Sequence, residues 1–312
     1  MTPTSGILGN DHGTVVTVGT FDGVHLGHQR VLDAITARAR EAGRTSVLVT
    51  FEPHPLEVVN PAAAPKLLTV GLERREILAQ SGLDVVVFME FTRELSQFSP
   101  QDFIRLLMDR FDLRELVIGY DHGFGKGRSG DVRLLRHLGA QSGFEVDVVD
   151  EVELDTRPVS SSLVRRSVAG GDLSRARKLL GRPYSMTASV VPGVGRGREL
   201  GYRTVNLELP NHMKLLPPDG VYAVWVEWAG GSSGGMMHLG PRPTFGEKER
   251  SIEVHMFDAD GQIYGELVRV SWVERLRDVQ QFESREQLRR QLERDSESAQ
   301  RALTWNAGLG NH

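Results

Sequence analysis

TVVTVGTFDGVHLGHQRVLDAI, residues 14 to 35, places an apolar run, a turn carrying Gly19, Gly23, Asp22, Gly27 and two histidines, and a helix-like pattern in one uninterrupted sequence. The run reads as a strand and the tail as a helix starting near His28. At such a helix start the unsatisfied N–H groups and the dipole favour an anion, so phosphate is the natural occupant. Gly23 and Gly27 permit close backbone approach, and His25 and His28, three apart, can both turn toward the occupant. A metal is the alternative tenant. Two histidines and Asp22 fall short of a full ligand set, however, and the H-E-x-x-H spacing is absent.

Outward from this stretch, short apolar runs alternate with amphipathic segments. SVLVTF (46–51), DVVVFM (84–89), ELVIGY (115–120) and FEVDVVD are separated by helical patterns near 71–80, in PQDFIRLLMDRF and in RSGDVRLLRHLGAQSG. Strands separated by helices imply a parallel sheet with crossovers on both faces, an α/β domain. The helix pair SSLVRRSVAGG and DLSRARKLLG closes this half, and GRPYSM (181–186) has the composition of a linker. The expected domains are therefore 1–183 and 184–312.

Past that point the period becomes two. MTASVV, GVYAVWVEW, SIEVHMF and YGELVRVSWV are broken by turn signals such as WAGGSSGGM and DADG, which predicts an antiparallel barrel or sandwich. A final helix is expected from about Ser284, where S-R-E-Q fits a capping box and Leu288, Leu292, Ala299 and Leu303 share a face.

Composition narrows the function classes. Lys plus Arg is 37 against 41 Asp plus Glu, without the basic excess that drives binding to nucleic acid. The chain has no cysteine, which removes disulfides, thiolate metal sites and a cysteine nucleophile. MTPTSGILGNDHG has no basic-then-apolar leader, and no 18 apolar residues run together, so a cytoplasmic protein with no membrane partner is expected.

GTFDGVHLGH closely resembles the G-x-F-D-G-x-H-x-G-H signature of the HxGH nucleotidyltransferases, and specifically the bacterial bifunctional riboflavin kinase/FMN adenylyltransferases, over about residues 14 to 305. The resemblance implies a Rossmann-like first domain in which Gly19, Phe21, Asp22, Gly23 and Gly27 surround ATP and His25 and His28 stabilise charge at the α-phosphate. Adenylyl transfer suits such a site, because positioning and a preorganised cradle supply most of the catalysis. VTFEPHPLEVV resembles the family's T-F-x-P-H-P segment, and VIGYDHGFGKGRSGD its G-x-D-F-x-F-G-x-x-R-x-G block. Asp121 and Phe124 are thereby implied to face the adenylyl or flavin groups, although His122 replaces the usual phenylalanine. RPVSSSLVRR resembles the S-S-T-x-x-R motif that holds triphosphate, through Ser160, Ser161, Ser162 and Arg165. As residues alone, three serines before a helix read as caps, and both uses draw on the same helix end.

PGVGRGRELGYRTVNLELP (192–210) carries Gly193, Gly195 and Gly197 ahead of Thr204 and Asn206. No G-K-[ST] follows, so it is not a Walker loop. It resembles the G-x-G-x-G-x-x-L-G-x-P-T-A-N of the family's kinase half, a riboflavin kinase-like barrel with a terminal helix, in which the glycines approach ATP and Thr204 and Asn206 bring Mg²⁺ to it. Oxygen donors are what a hard cation requires. Arg203 and Val205 depart from the pattern, and Arg203 removes proline's fixed φ. In SIEVHMF, Glu253 shares a face with His255 and Phe257, opposite Ile252, Val254 and Met256. By resemblance Glu253 is the kinase's general base. Riboflavin, FMN and ATP are the implied small-molecule partners. Two other readings are a nucleotidyltransferase acting on another phosphate acceptor and a flavin-binding regulator without chemistry.

Overall fold

The computed structural model describes residues 12–120, 131–192, 202, 204–242, 247–257 and 263–307. They divide into two compact units, Met1–Lys66 with Arg74–Ser161 and Leu67–Glu73 with Ser162–His312.

In chain order the first part of the sequence forms β1 (Thr14–Val18), α1 (Leu26–Ala42), β2 (Thr45–Glu52), α2 (Pro55–Val59), α3 (Gly71–Ala79) and β3 (Val85–Glu90). There follow α4 (Pro100–Phe111), β4 (Leu113–Gly119), α5 (Val132–Ser142), β5 (Glu145–Val149) and a two-residue hairpin pair, β6 (Glu153–Leu154) and β7 (Arg157–Pro158). The first unit is built on a five-stranded sheet of order β3-β2-β1-β4-β5, with every pairing parallel. Alternate residues serve opposite faces: Val16, Val18, Val47 and Val49 pack under Phe103, Ile104 and Leu107 of α4 and Leu135 of α5. Val15, Leu48 and Val117 pack under Val31, Leu32 and Ile35 of α1 and Ile77 and Leu78 of α3. Burial on both faces is why these strands read as unbroken apolar runs. The expected Rossmann-like half is borne out, and strand order reverses between β1 and β4, where open α/β sheets bind ligands at the strands' carboxyl ends.

Two helices, α6 (Ser161–Ala169) and α7 (Leu173–Leu180), precede the barrel strands β8 (Ser185–Val191), β9 (Val205–Glu208), β10 (Gly220–Trp228), β11 (Gly231–Arg242), β12 (Glu247–Met256) and β13 (Leu267–Arg277), and the last helix is α8 (Arg285–Ala307). The second unit is centred on these strands, closed in the order β10-β11-β12-β9-β8-β13. Closure leaves no edge strand, which settles barrel over sandwich. Met186, Ala188, Tyr222, Val224, Met237, Val254, Val270 and Trp272 fill the interior. Ala299, Ala302 and Leu303 of α8 cover Ala223 and Met236 on the outside.

Three local expectations change. WAGGSSGGM is mostly strand: a Cβ at Gly234 would come 2.7 Å from the Leu303 side chain and one at Gly235 2.6 Å from the His255 carbonyl, so glycine serves packing as well as turning. GRPYSM is packed rather than tethering: Tyr184 is buried with its ring stacked on Trp272 at 5.5 Å, and burial draws the Arg182 guanidinium down to about 10. The strand β9 sits where a glycine-rich approach to Thr204 and Asn206 is all the sequence suggests.

Within the second unit, Leu67–Glu73 pairs with the segment after β9. The Leu67 amide donates to Met213 O (2.7 Å) and the Leu215 amide to Leu67 O (2.8 Å). The Lys214 ammonium donates to both Glu73 oxygens (2.9 and 2.8 Å) and to Leu68 O (2.6 Å), with each charged side chain only 1% exposed.

Candidate active sites

At the carboxyl end of β1 the chain turns through residues 19 to 25 into α1, which begins at Leu26 with His25 as its N-cap, two residues earlier than the pattern suggests. The His25 ring accepts a hydrogen bond from the His28 amide at Nδ1 (3.3 Å), and the Gln29 amide donates to His25 O (2.9 Å). The His25 and His28 rings stack with centroids 3.7 Å apart, and Phe21 lies 4.7 Å from His28. A Cβ at Gly27 would sit 3.2 Å from the His25 ring, so glycine there makes room for the pair. Gly23 takes a left-handed φ of 82°, and so do two residues that do not favour it, Phe21 at 46° and Val24 at 41°. Such strain, of order 1 to 3 kcal/mol each, gathers at functional turns where surroundings over-determine the backbone.

Ser161 of the RPVSSSLVRR segment meets this turn. The Ser161 hydroxyl, at the first residue of α6, donates to the Asp22 carbonyl (2.9 Å), and Val159 O lies 3.4 Å from where a Gly27 Cβ would stand. Asp22 is buried, as is His25. Arg165 lies one turn along α6 from Ser161 and Ser162, on the face of Ser161. The Pro-His-Pro segment follows β2: His54 caps α2, accepting from the Leu56 amide (3.2 Å) while its own amide donates to Glu57 (3.1 Å). Asp121, His122 and Phe124 directly follow β4 but lie outside the described residues.

On the barrel, cross-strand register puts Asn206 of β9 opposite Glu253 of β12, and Glu253 opposite His238 of β11. Residues directly opposite share a face, here the one turned away from Val254 and Leu207 in the interior. Thr204 precedes β9, two residues before Asn206. The row therefore sets a neutral oxygen donor beside a carboxylate, a combination suited to a hard cation and a proton acceptor respectively. The His238 ring Nε2 lies 3.1 Å from Pro241 O. Gly193, Gly195, Gly197 and Arg203 lie outside the described residues. Among the described residues no group of three His, Cys, Asp or Glu side chains could hold a metal ion.

Sequence reasoning misses Thr50, Arg74 and His238. Thr50 and Arg74 bond to the β1–α1 turn from far along the chain, and His238 joins the Glu253 row only through register; no local motif marks them.

Comparison with known proteins matches the FAD synthetase family to residues 8–163 and the riboflavin kinase family to residues 180–303. A bifunctional riboflavin kinase/FMN adenylyltransferase of Pseudomonas fluorescens is 38% identical over 293 residues, 93% of each chain. Its Bacillus subtilis counterpart is 34% identical over 291 residues, 92% of this chain and 91% of the relative. The Escherichia coli K12 protein is 34% identical over 289 residues, 92% of each. A crystal structure of a Streptococcus pneumoniae chain described as a macrolide-efflux protein superposes with TM-score 0.84 and 32% identity, covering 94% of this chain and 95% of that one.

Proposed function

The chain belongs to the bifunctional riboflavin kinase/FMN adenylyltransferase family, and from that premise we propose how its residues divide the two reactions. It phosphorylates riboflavin with ATP to give FMN, and joins FMN to the adenylyl group of a second ATP to give FAD and pyrophosphate. Residues 1–183 carry the adenylyl transfer and residues 184–312 the kinase reaction.

In adenylyl transfer, a phosphate oxygen of FMN attacks the α-phosphorus of ATP and pyrophosphate leaves. His25 and His28 donate hydrogen bonds to the oxygens on which charge develops, held in place by their stack and by the helix start that His25 caps. Gly19, Phe21, Asp22, Gly23 and Gly27 shape the turn against the nucleotide. Ser160, Ser161, Ser162 and Arg165 hold the triphosphate, and Asp121 and Phe124 border the adenylyl and flavin groups. In the kinase reaction Glu253 takes the proton of the riboflavin 5′-hydroxyl as that oxygen attacks the γ-phosphorus and ADP leaves. Gly193, Gly195 and Gly197 would approach the ATP phosphates, while Thr204 and Asn206 would supply oxygens to Mg²⁺. Bound there, Mg²⁺ would neutralise charge on the transferring phosphoryl group.

The observation that carries the division is that His25 with His28 and Asn206 with Glu253 fall in different folded units, each under its own family match. Among the described residues no helix is long and apolar enough to cross a membrane; the setting proposed for the enzyme is the cytoplasm, with riboflavin, FMN and ATP as its small-molecule partners. The efflux description of the pneumococcal chain does not displace this reading, because fold alone carries no function.

The test is a crossed pair of variants in the full chain, with riboflavin, FMN and FAD separated by chromatography. His28→Ala should lower FAD formation from supplied FMN by about 10² to 10³ with FMN formation intact. Glu253→Gln should lower FMN formation by about 10² to 10⁴ and leave the conversion of supplied FMN to FAD intact. Parallel loss of both activities in either variant would refute the assignment.

A further inference from the structure

The β1–α1 turn holds a backbone that its own residues disfavour, with Phe21 and Val24 both in the left-handed region. Within it the Val24 amide donates to Phe21 O (3.3 Å). A turn of this kind persists only where its surroundings impose it.

We propose that Arg74 is a positioning residue for adenylyl transfer, clamping the turn so that His25 and His28 stay aimed at the reacting phosphate. The inference rests on the reading of those histidines given above. From the second turn of α3 the Arg74 guanidinium reaches two segments at once. Nη2 donates to the Thr20 carbonyl and to the Thr50 hydroxyl, and Nη1 donates to Phe51 O (2.9 Å). The Thr50 hydroxyl passes the constraint on by donating to Gly19 O (2.7 Å), and the Gly19 amide donates to Val49 O (3.1 Å). The carboxyl end of β2 and the first residues of the turn are thereby stitched through one side chain.

The placement is costly enough to need a reason. Burial lowers the Arg74 pKa, an effect opposed by the Asp22 and Glu52 carboxylates, and Nε is buried without an acceptor among the described residues. The guanidinium carbon lies over the Phe88 ring, 5.6 Å from its centroid. A lysine's donors radiate from a single nitrogen on a flexible stem, whereas the planar guanidinium fork can hold two segments in fixed relation. Small displacements matter at such a site, because a misplacement of about 1 Å in a reacting group can cost about 10² in rate.

The experiment uses full-length Arg74→Met and Arg74→Lys, with His28→Ala as reference. FMN formation is measured separately from FAD formation, and amide hydrogen exchange is followed along β1 and the turn. Arg74→Met should lower kcat for FAD formation by about 10- to 100-fold with KM for ATP within about threefold and FMN formation unchanged. Amides of Gly19 and Val24 should exchange faster while those of Val16 and Val18 keep their protection. Arg74→Lys should fall between Arg74→Met and wild type. An FAD-forming kcat within about threefold of wild type in Arg74→Met overturns the proposal. So does equal loss of both activities with protection lost throughout β1, which assigns Arg74 to general stability. If Arg74→Met does not accumulate folded, Arg74→Lys decides: a lowered kcat at unchanged melting temperature supports the clamp, and an unchanged kcat overturns it. Full FAD formation by His28→Ala overturns the underlying reading and the proposal together. Loss in His28→Ala with none in Arg74→Met overturns the proposal alone.

Discussion

Ser46 and Asp84 join the start of β2 to the start of β3 through a closed ring of bonds. The Ser46 amide and hydroxyl both donate to Asp84 Oδ2 (2.8 and 2.6 Å), and the Asp84 amide donates to the Ser46 hydroxyl (2.9 Å). The Ser46 hydroxyl bond, followed by the backbone bond, holds the Asp84 carboxyl below the usual carboxylate range. A carboxylate whose folded pKa is depressed stabilises the fold above its unfolded value of about 3.9, and that stability is lost as pH falls through the folded value. Ser46→Ala should therefore cost about 1 kcal/mol or less at neutral pH, discounted because Asp84 is exposed, and less still at acid pH, below the unfolded carboxylate value. Urea unfolding of wild type and variant at both pH values measures this. Equal losses would show that the ring is indifferent to the charge. At this scale the sequence reveals a site residue only where a local string carries it, as with His25 and His28 three apart at a helix start. Arg74 and Thr50 act on the same turn from 54 and 30 residues away, so their role appears only once the crossovers have been made.

Among the elements, α8 shows what a single ion pair contributes to docking. Arg277 at the end of β13 grips Asp295 of α8 with Nε (3.0 Å to both oxygens) and Nη2 (2.6 Å), and Gln291 adds a bond to the same carboxylate (2.9 Å). Asp295 is buried and Arg277 nearly so. Asp295→Ala, which strands the guanidinium, should destabilise the barrel by about 3 to 5 kcal/mol. The double change Arg277→Met with Asp295→Leu should recover most of that, because matched apolar groups avoid the desolvation cost. A double variant as unstable as the single one in thermal unfolding would locate the loss elsewhere. Elements are legible where apolar spacing is regular and capping residues bound it: α4 can be read residue for residue from PQDFIRLLMDRF, since Ser99 caps it and Pro100 opens it. β11 resists reading because its glycines answer to Leu303 and His255, partners that only tertiary packing supplies. Likewise Glu253 is one of many alternating strand residues until register sets it beside Asn206.

For the molecule as a whole, function and compactness divide the chain differently. We place the functional boundary between residues 183 and 184, yet the compact unit that contains the barrel also includes Leu67–Glu73. A fragment of residues 184–312 would keep Lys214 and lose the carboxylate that neutralises it. Lys214→Met should thus raise the stability of that fragment, whereas in the full chain the same change strands Glu73 and should cost about 3 to 5 kcal/mol. Changes of the same sign in both contexts, read from chemical denaturation, would show that Glu73 does not govern the lysine. The closed barrel also bears on the order in which the protein can be made. A chain leaving the ribosome completes the strands of its parallel sheet once Val149 has emerged, and that half can begin to fold while the rest is unmade. The ring offers no such early stop. β8, its first strand, pairs with β13, its last, so Ala188 waits unpartnered on that side until Val268 arrives. Closing so long a loop is slow and leaves strand edges bare meanwhile. During synthesis the kinase half is therefore the late and aggregation-exposed one, finished only when its final strand is free.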